Sequence, residues 1–277
     1  MTIVSIGEVL WDVYPDCSHL GGAPFNFAAH AQRLGHRVVL VSAVGNDERG
    51  AAALKRAAEL GLDTQFIQVA AGMATGHVSV WLDAEGKPDF TIHRPAAYDY
   101  LRLDDAQLAN IARMQPEWIY FGTLLQMNDN ARSQMLRLMQ SLPGARRFYD
   151  LNLRRGNYTP ELVRESIGLA QAVKLNDEEA EQFPDFDGAW AVAVTRGARG
   201  CEVRIGDDGA ECAGYAVKVV DTVGAGDAFA AGFLHGIARG WSAPRTGEFA
   251  NRLGALVASR PGAAPDWTLE ELEAFKG

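Results

Sequence analysis

Cysteine is scarce: Cys17, Cys201 and Cys212 are the only three in 277 residues, and none forms a Cys-x-x-Cys pair. This argues against a structural zinc ribbon or a disulfide-stapled scaffold and suits thiols kept reduced in a cytoplasm. Long apolar runs are missing too. The longest uncharged one, 228–238, is far shorter than the ~20 residues a membrane-crossing helix needs, so no membrane partner is expected. The apolar start from Ile3 to Trp11 is interrupted by Glu8 and has no basic segment before it, unlike a secretory leader. A cytoplasmic location follows as the expectation. Positive charge is also short: 26 Lys and Arg face 35 Asp and Glu, a net −9 that would repel a polyanion, so nucleic acid is not an expected partner. Gly-x-x-x-x-Gly-Lys-Ser/Thr, His-Glu-x-x-His and Gly-x-Ser-x-Gly do not occur, and no Gly-x-Gly-x-x-Gly opens the first βα unit. That sets aside P-loop, zinc-protease, α/β-hydrolase and dinucleotide-binding readings.

With 48% hydrophobic and 22% charged residues, the chain has a globular composition. Short apolar runs at 2–6, 38–44, 118–121, 147–150 and 191–194 read as strands buried on both faces. Helix-period segments at 25–34, 49–60, 104–114, 130–142, 159–170, 177–182 and 227–239 lie between and after them. Strand followed by helix, repeated, predicts a mostly parallel sheet covered by helices. The strand-like runs 77–82 and 89–93, joined by 83–88 with Gly86, predict a hairpin outside that sheet. No Pro- or Ser-rich linker or internal repeat appears, so residues 1–277 are expected to form one domain.

The segment richest in chemistry is Asp221-Thr222-Val223-Gly224-Ala225-Gly226-Asp227, between a strand-like run at 215–220 and a helix. Glycines there let backbone approach a ligand, and a helix N-terminus offers unpaired N–H groups to an anion. Asp227 in the first turn could simply complement the helix dipole. Beside an anion cradle, however, a carboxylate is also placed to take a proton from a hydroxyl attacking a phosphate.

These residues resemble the C-terminal signature of the PfkB, or ribokinase-like, carbohydrate kinases. Further matches follow in order along the chain: Gly7-Glu8 with Asp12, Gly21-Gly22-Ala23-Pro24-Phe25-Asn26, Asp150-Leu151-Asn152-Leu153-Arg154, Lys174-Leu175-Asn176-Asp177-Glu178-Glu179, and Thr195-Arg196-Gly197-Ala198-Arg199-Gly200. The resemblance implies a three-layer α/β/α sandwich with a small β lid built from segments near 10–20 and 75–100. It implies ATP and Mg2+ as cosubstrate and cofactor, with K+ as a further activator.

By the same resemblance, Asp227 is the general base and Gly224, Ala225 and Gly226 form the anion hole. Asp12, Gly22, Asn26 and Arg154 would hold the sugar, and Phe25, Phe90 and Tyr98 are candidates for its walls. ATP would meet Asn176, Glu179, Thr195, Gly197, Gly200 and Asn251, with Glu179 reaching Mg2+ through water. Asp221 and Thr222 would hold a monovalent cation. Taken as residues alone, Asn176 and Glu179 also fit a helix-capping pair, and Lys174 could add positive charge nearby, although a strand-end lysine is more often merely solvated.

The opening Gly7 to Pro15 and the stretch His93 to Asp99 look most like the fructokinase branch. Fructose or a similar ketose is therefore the expected substrate. Ribose, a nucleoside and 2-keto-3-deoxygluconate are alternatives, as is a catalytically silent sugar-binding regulator. A homodimer through the lid is the expected assembly.

Overall fold

The computed structural model describes residues 1–82, 88–186 and 188–276. Its strands are β1 (Thr2–Ile6), β2 (Leu10–Val13), β3 (Ser18–Gly21), β4 (Arg37–Gly45), β5 (Ile67–Ala70), β6 (Gly76–Leu82), β7 (Pro88–His93), β8 (Trp118–Gly122), β9 (Arg146–Asp150), β10 (Ala172–Asn176), β11 (Ala191–Thr195), β12 (Cys201–Ile205) and β13 (Asp208–Cys212). The helices are α1 (Ala23–Arg33), α2 (Glu48–Glu59), α3 (Asp105–Arg113), α4 (Asp129–Ser141), α5 (Pro160–Leu169), α6 (Asp177–Gln182), α7 (Ala225–Ala238), α8 (Ala243–Ala258) and α9 (Leu269–Ala274).

One large sheet runs β13-β12-β11-β10-β9-β8-β1-β4-β5, parallel from β5 through to β11 and antiparallel over its last two strands. Alternation along each strand fills both faces. Ile3, Trp118 and Tyr120 point into a core shared with α1, α7 and α8, whereas Val4, Ile6, Ile119 and Phe121 point into a second core with α3, α4 and α5. Two apolar faces need two helical layers, which produces the three-layer α/β/α sandwich of the ribokinase-like fold.

The chain winds outward from β1 in both directions, to β4 and β5 on one side and to β8 through β11 on the other. In open α/β sheets, ligands settle at such a reversal, beyond the carboxyl ends of the strands.

The hairpin β6-β7 lies outside the large sheet, in a second sheet ordered β3-β2-β6-β7. The expected loop residues 83–87 lie outside the described residues. One expectation is corrected: 215–220 is not a strand. The sheet has already ended at β13, so this stretch has no strand to pair with, and Val219 and Val220 are exposed. Instead the N–H groups of Val220 and Asp221 donate to the carbonyl of Ala258 at the end of α8.

Candidate active site

Helix α7 begins at a turn that only glycine fits. Gly224 has φ +79°, in the left-handed region, and a Cβ there would stand 2.2 Å from the Ala263 carbonyl oxygen. The Ala225 N–H donates to the Thr222 carbonyl (3.3 Å), and the Ala228 N–H makes the first helical bond, to Gly224 (2.9 Å). The N–H groups of Gly226 and Asp227 fall in the first turn, where a helix supplies no acceptor of its own. Asp221 braces the turn from below: its carboxylate accepts from the Val223 N–H (2.9 Å) and the Gly262 N–H (3.1 Å).

Asp227 is buried and accepts a hydrogen bond from the Asn26 side-chain amide at 2.8 Å. Burial raises its pKa to about 6, with Asp150 pushing the same way. Lys174, the Asn26 bond and Arg154 pull it down. A carboxylate tuned toward neutrality can take a proton near physiological pH and still be ionised beforehand.

Lys174 corrects another expectation. Read as a solvated charge, it is buried, because β10 is an interior strand whose register with β9 sets Lys174 opposite Asp150. Its Nζ donates to both Asp150 oxygens (3.0 and 3.2 Å), and the Tyr120 hydroxyl donates to Asp150 Oδ2 (2.9 Å). Burial opposes the ammonium charge, but Asp150, Glu179 and Asp227 outweigh it and hold the pKa above the usual lysine value. A Cβ on Gly226 would stand 3.1 Å from this Nζ, so a permanent positive charge sits beside the glycine turn.

A cleft of about 370 Å³ gathers residues from the carboxyl ends of β1, β8, β9, β10 and β11, from the glycine turn and from the small sheet. Asp12, Gly22, Asn26, Arg154, Asn176, Thr195, Thr222, Gly224, Gly226 and Asp227 all line it, with Lys174 among them. Gly22, at φ +104°, opens α1 tightly: a Cβ there would lie 2.4 Å from the Glu8 carbonyl oxygen. Asp12 on β2 has its pKa raised to about 6 by burial, lowered in turn by Arg154, raised by Asp221 and lowered by His19. Of the three aromatic candidates, Phe90 lines the cleft, whereas Phe25 and Tyr98 are fully packed in the core.

Asn176 and Glu179 form a reciprocal capping box. Asn176 Oδ1 accepts from the Glu179 N–H (2.8 Å), and Glu179 Oε2 accepts from the Asn176 N–H (2.9 Å). The second Glu179 oxygen accepts from the Leu153 N–H at 2.6 Å, next to Arg154. Glu179 therefore ties the start of α6 to the loop that presents Arg154. Burial raises its pKa, offset by Lys174 and these backbone donors.

Ala225, Glu179, Gly197, Gly200, Asn251 and Asp221 stand outside the cleft lining. Gly200 packs against the Cys212 carbonyl, and the Asn251 amide donates to the carbonyls of Cys212 and Ala213 at 3.2 Å each. Gly200 and Asn251 therefore converge on one exit segment. Among the described residues, no group of three or more His, Cys, Asp or Glu is placed to hold a metal ion.

Two residues escaped the sequence reading of the site. Glu8, noted only as part of a motif, is buried and lines the cleft. Its signal was the break it makes in the apolar run 3–11. His30 on α1 has Nε2 3.1 Å from the Ala263 carbonyl, while its Nδ1 accepts from the Trp267 indole N–H (3.1 Å). That acceptance leaves the proton on Nε2, so a neutral His30 donates to Ala263 and holds the loop that packs on Gly224. No local pattern marked it.

Fold and cleft together define a doubly wound α/β protein in which a glycine-turn helix N-terminus faces a carboxylate-lined pocket. The sequence matches the pfkB family carbohydrate kinase profile over residues 16–269, and the chain belongs to that family. It is 30% identical over 298 residues to the uncharacterized sugar kinase PH1459 of Pyrococcus horikoshii, covering 99% of this chain and 95% of that protein. It is 29% identical over 307 residues to fructokinase-1 of Oryza sativa, covering 97% and 95%. The crystal structure of PH1459 in complex with ATP superposes with a TM-score of 0.88 at 29% identity, over 99% of this chain and 98% of that one. Fructokinase from Vibrio cholerae, bound to fructose, ADP and calcium, superposes with a TM-score of 0.83 at 27% identity, over 100% and 99%.

Proposed function

We propose that this carbohydrate kinase transfers the γ-phosphoryl group of ATP to a hydroxyl of fructose or a similar ketose, in the cytoplasm. The observation that carries the reading is the buried Asp227, ionisable near pH 6, in the first turn behind the Gly224 to Gly226 bend, with Asn26 at 2.8 Å.

In this reading the sugar lies against Asp12, Gly22, Asn26 and Arg154. Amide, carboxylate and guanidinium groups suit vicinal hydroxyls because together they offer fixed donors and acceptors. Asp227 removes the proton of one hydroxyl as its oxygen attacks the γ-phosphorus, and the bond from that phosphorus to the ADP oxygen breaks, releasing ADP. The N–H groups of Gly224 and Gly226 would face the charge on the transferring group, with Lys174 close by, whereas the expected third donor, the Ala225 N–H, is already bonded to the Thr222 carbonyl and lies outside the cleft lining. Preorganised donors of this kind are typically worth ~10²–10³ in rate each. ATP would extend past Asn176 and Thr195 toward Gly197, Gly200 and Asn251.

The donor set suits an ion held mainly by phosphates and water, since Glu179 already spends both oxygens on backbone N–H groups and keeps only further lone pairs for a water. Mg2+ there would screen phosphate charge, with Glu179 as its protein contact through water. K+ would sit against the carbonyls around Asp221 and Thr222 and the 261–263 loop, steadying the glycine turn. The small sheet, which supplies Leu10, Asp12, Val78, Phe90 and Ile92 to one wall, acts as a lid that excludes water. Its exposed Trp81, on the face opposite Phe90 and the cleft, favours pairing with a second copy.

The test is a coupled assay with ATP, Mg2+ and a panel of fructose, ribose, 2-keto-3-deoxygluconate and nucleosides, run on the protein and on Asp227→Asn. Fructose should give the highest kcat/KM, and the variant should lose turnover on every sugar. Sugar binding without any phosphorylation would overturn the reading in favour of a silent sugar-binding regulator.

A further inference from the structure

Glu8 lies two residues past the end of β1 and is 4% exposed, yet its Oε2 has no hydrogen-bond partner. Leaving a buried acceptor unpaired is costly, and such atoms in folded proteins call for an explanation. Asn26 Oδ1, in the same cleft, is also buried and unpartnered, while its amide is committed to Asp227. Two orphaned acceptors therefore line one polar cleft. The fold holds Glu8 in place: Gly22 is packed so closely that a Cβ there would meet the Glu8 carbonyl at 2.4 Å and its Cγ at 3.4 Å. The groups that face Glu8 are Asp227 from α7, Arg154 from the loop after β9, and the phenols of Tyr98 and Tyr120. Arg154 is the one cation among them.

We propose that Glu8 is a specificity-determining residue of the sugar pocket: its free carboxyl oxygen, together with Asn26 Oδ1, takes the hydroxyls of a neutral sugar and disfavours substrates that bring a carboxylate or phosphate of their own. This deepens, and rests on, the sugar-kinase reading above. A hydroxyl supplies the donor both orphans lack, whereas an anion beside Glu8 would meet Glu8, Asp12 and Asp227 with Arg154 as the facing cation, Lys174 being already paired with Asp150. Burial, the largest influence, raises the Glu8 pKa to about 7, with Asp227 adding to it and the Ala23 N–H and Arg154 opposing it. Near neutrality Glu8 can thus accept a hydroxyl proton or donate its own, two options open to a polyol and not to an anion.

The experiment compares the wild-type protein with Glu8→Gln and the shorter Glu8→Asp. It measures kcat/KM for fructose and 2-keto-3-deoxygluconate, the KM for ATP, and equilibrium binding of both sugars by calorimetry. Wild-type protein should prefer the neutral sugar. Glu8→Gln should raise the fructose KM about tenfold and cut the neutral-over-acid ratio by at least as much, leaving the ATP KM within about twofold. An unchanged ratio and unchanged fructose affinity in both variants would overturn the proposal while leaving the kinase reading intact. So would a wild-type preference for the acid. Should the wild type phosphorylate nothing, the kinase reading falls, and calorimetry still decides the role of Glu8 by whether fructose affinity drops in the variants.

Discussion

Asn26 and Asp227 lie 201 residues apart in the chain, and the amide of the first donates to the carboxylate of the second at 2.8 Å across the mouth of α7. The contact steadies Asp227 in its ionised form, because a hydrogen bond donated to a carboxylate favours its charge. Removing it in Asn26→Ala should raise the Asp227 pKa above about 6. Since the base works only when deprotonated, kcat/KM should climb with pH, and the acid limb of the profile should move to higher pH in the variant. A pH series of kcat/KM on both proteins checks this.

Asp227→Asn should abolish turnover, with kcat down ~10³-fold or more, yet leave a more stable protein at pH 8. The folded pKa of about 6 lies above the ordinary 3.8, so the folded state binds the proton more tightly than the unfolded chain. Its contribution to stability is fully present below pH 3.8 and is lost as pH rises through about 6. An ionised Asp227 at pH 8 therefore weakens the fold by on the order of 1–3 kcal/mol, which the neutral isostere recovers. Thermal melts at pH 8 and pH 5 should show the gain in Tm shrinking at the lower pH.

Lys174→Met strips from Asp150 the ammonium paired with it and strands a buried carboxylate, which typically costs about 3–5 kcal/mol. Pairing it with Asp150→Asn should restore much of the stability but not the rate, because the positive charge beside Gly226 is still missing. Denaturant melts and kcat on the single and double variants separate the two effects.

The glycines of the turn should respond differently. In Gly224→Ala the new methyl would meet the Ala263 backbone at 2.2 Å and sit at φ +79°, so both stability and rate should fall. In Gly226→Ala the nearest atom is Lys174 Nζ at 3.1 Å, which needs to give by only a few tenths of an ångström while keeping its Asp150 partner. That variant should melt within a few degrees of the parent but lose about tenfold or more in kcat. Calorimetry beside steady-state kinetics reads both.

If a monovalent cation orders the turn through the carbonyls near Asp221 and Thr222, K+ should accelerate the reaction several-fold over an equal concentration of tetramethylammonium. The bulky cation is too large for carbonyl coordination, so equal rates in the two salts would remove that site from the proposal.

The parts of the molecule legible in the sequence were those whose signal is local. Ile3 to Ile6 and Trp118 to Phe121 announce buried strands because their own alternation is apolar on both faces. Gly224-Ala225-Gly226-Asp227 is equally local, since a left-handed residue and a helix start leave their mark in neighbouring positions. The expected strand at 215–220 failed for the complementary reason: its residues favour extension, but a strand needs a partner, and the sheet had run out of edge beside it.

The sequence by itself determined the layer architecture, the hairpin set apart from the large sheet and the glycine turn that opens α7, because periodicity and backbone freedom act over a few residues. Only the tertiary structure decided that Lys174 is buried on Asp150, that Asn26 grips Asp227, and that Glu8 keeps an unpaired oxygen on the cleft. Strand register and helix docking bring those groups together across long stretches of chain, and desolvation then sets their charge. No single segment carries the information for either.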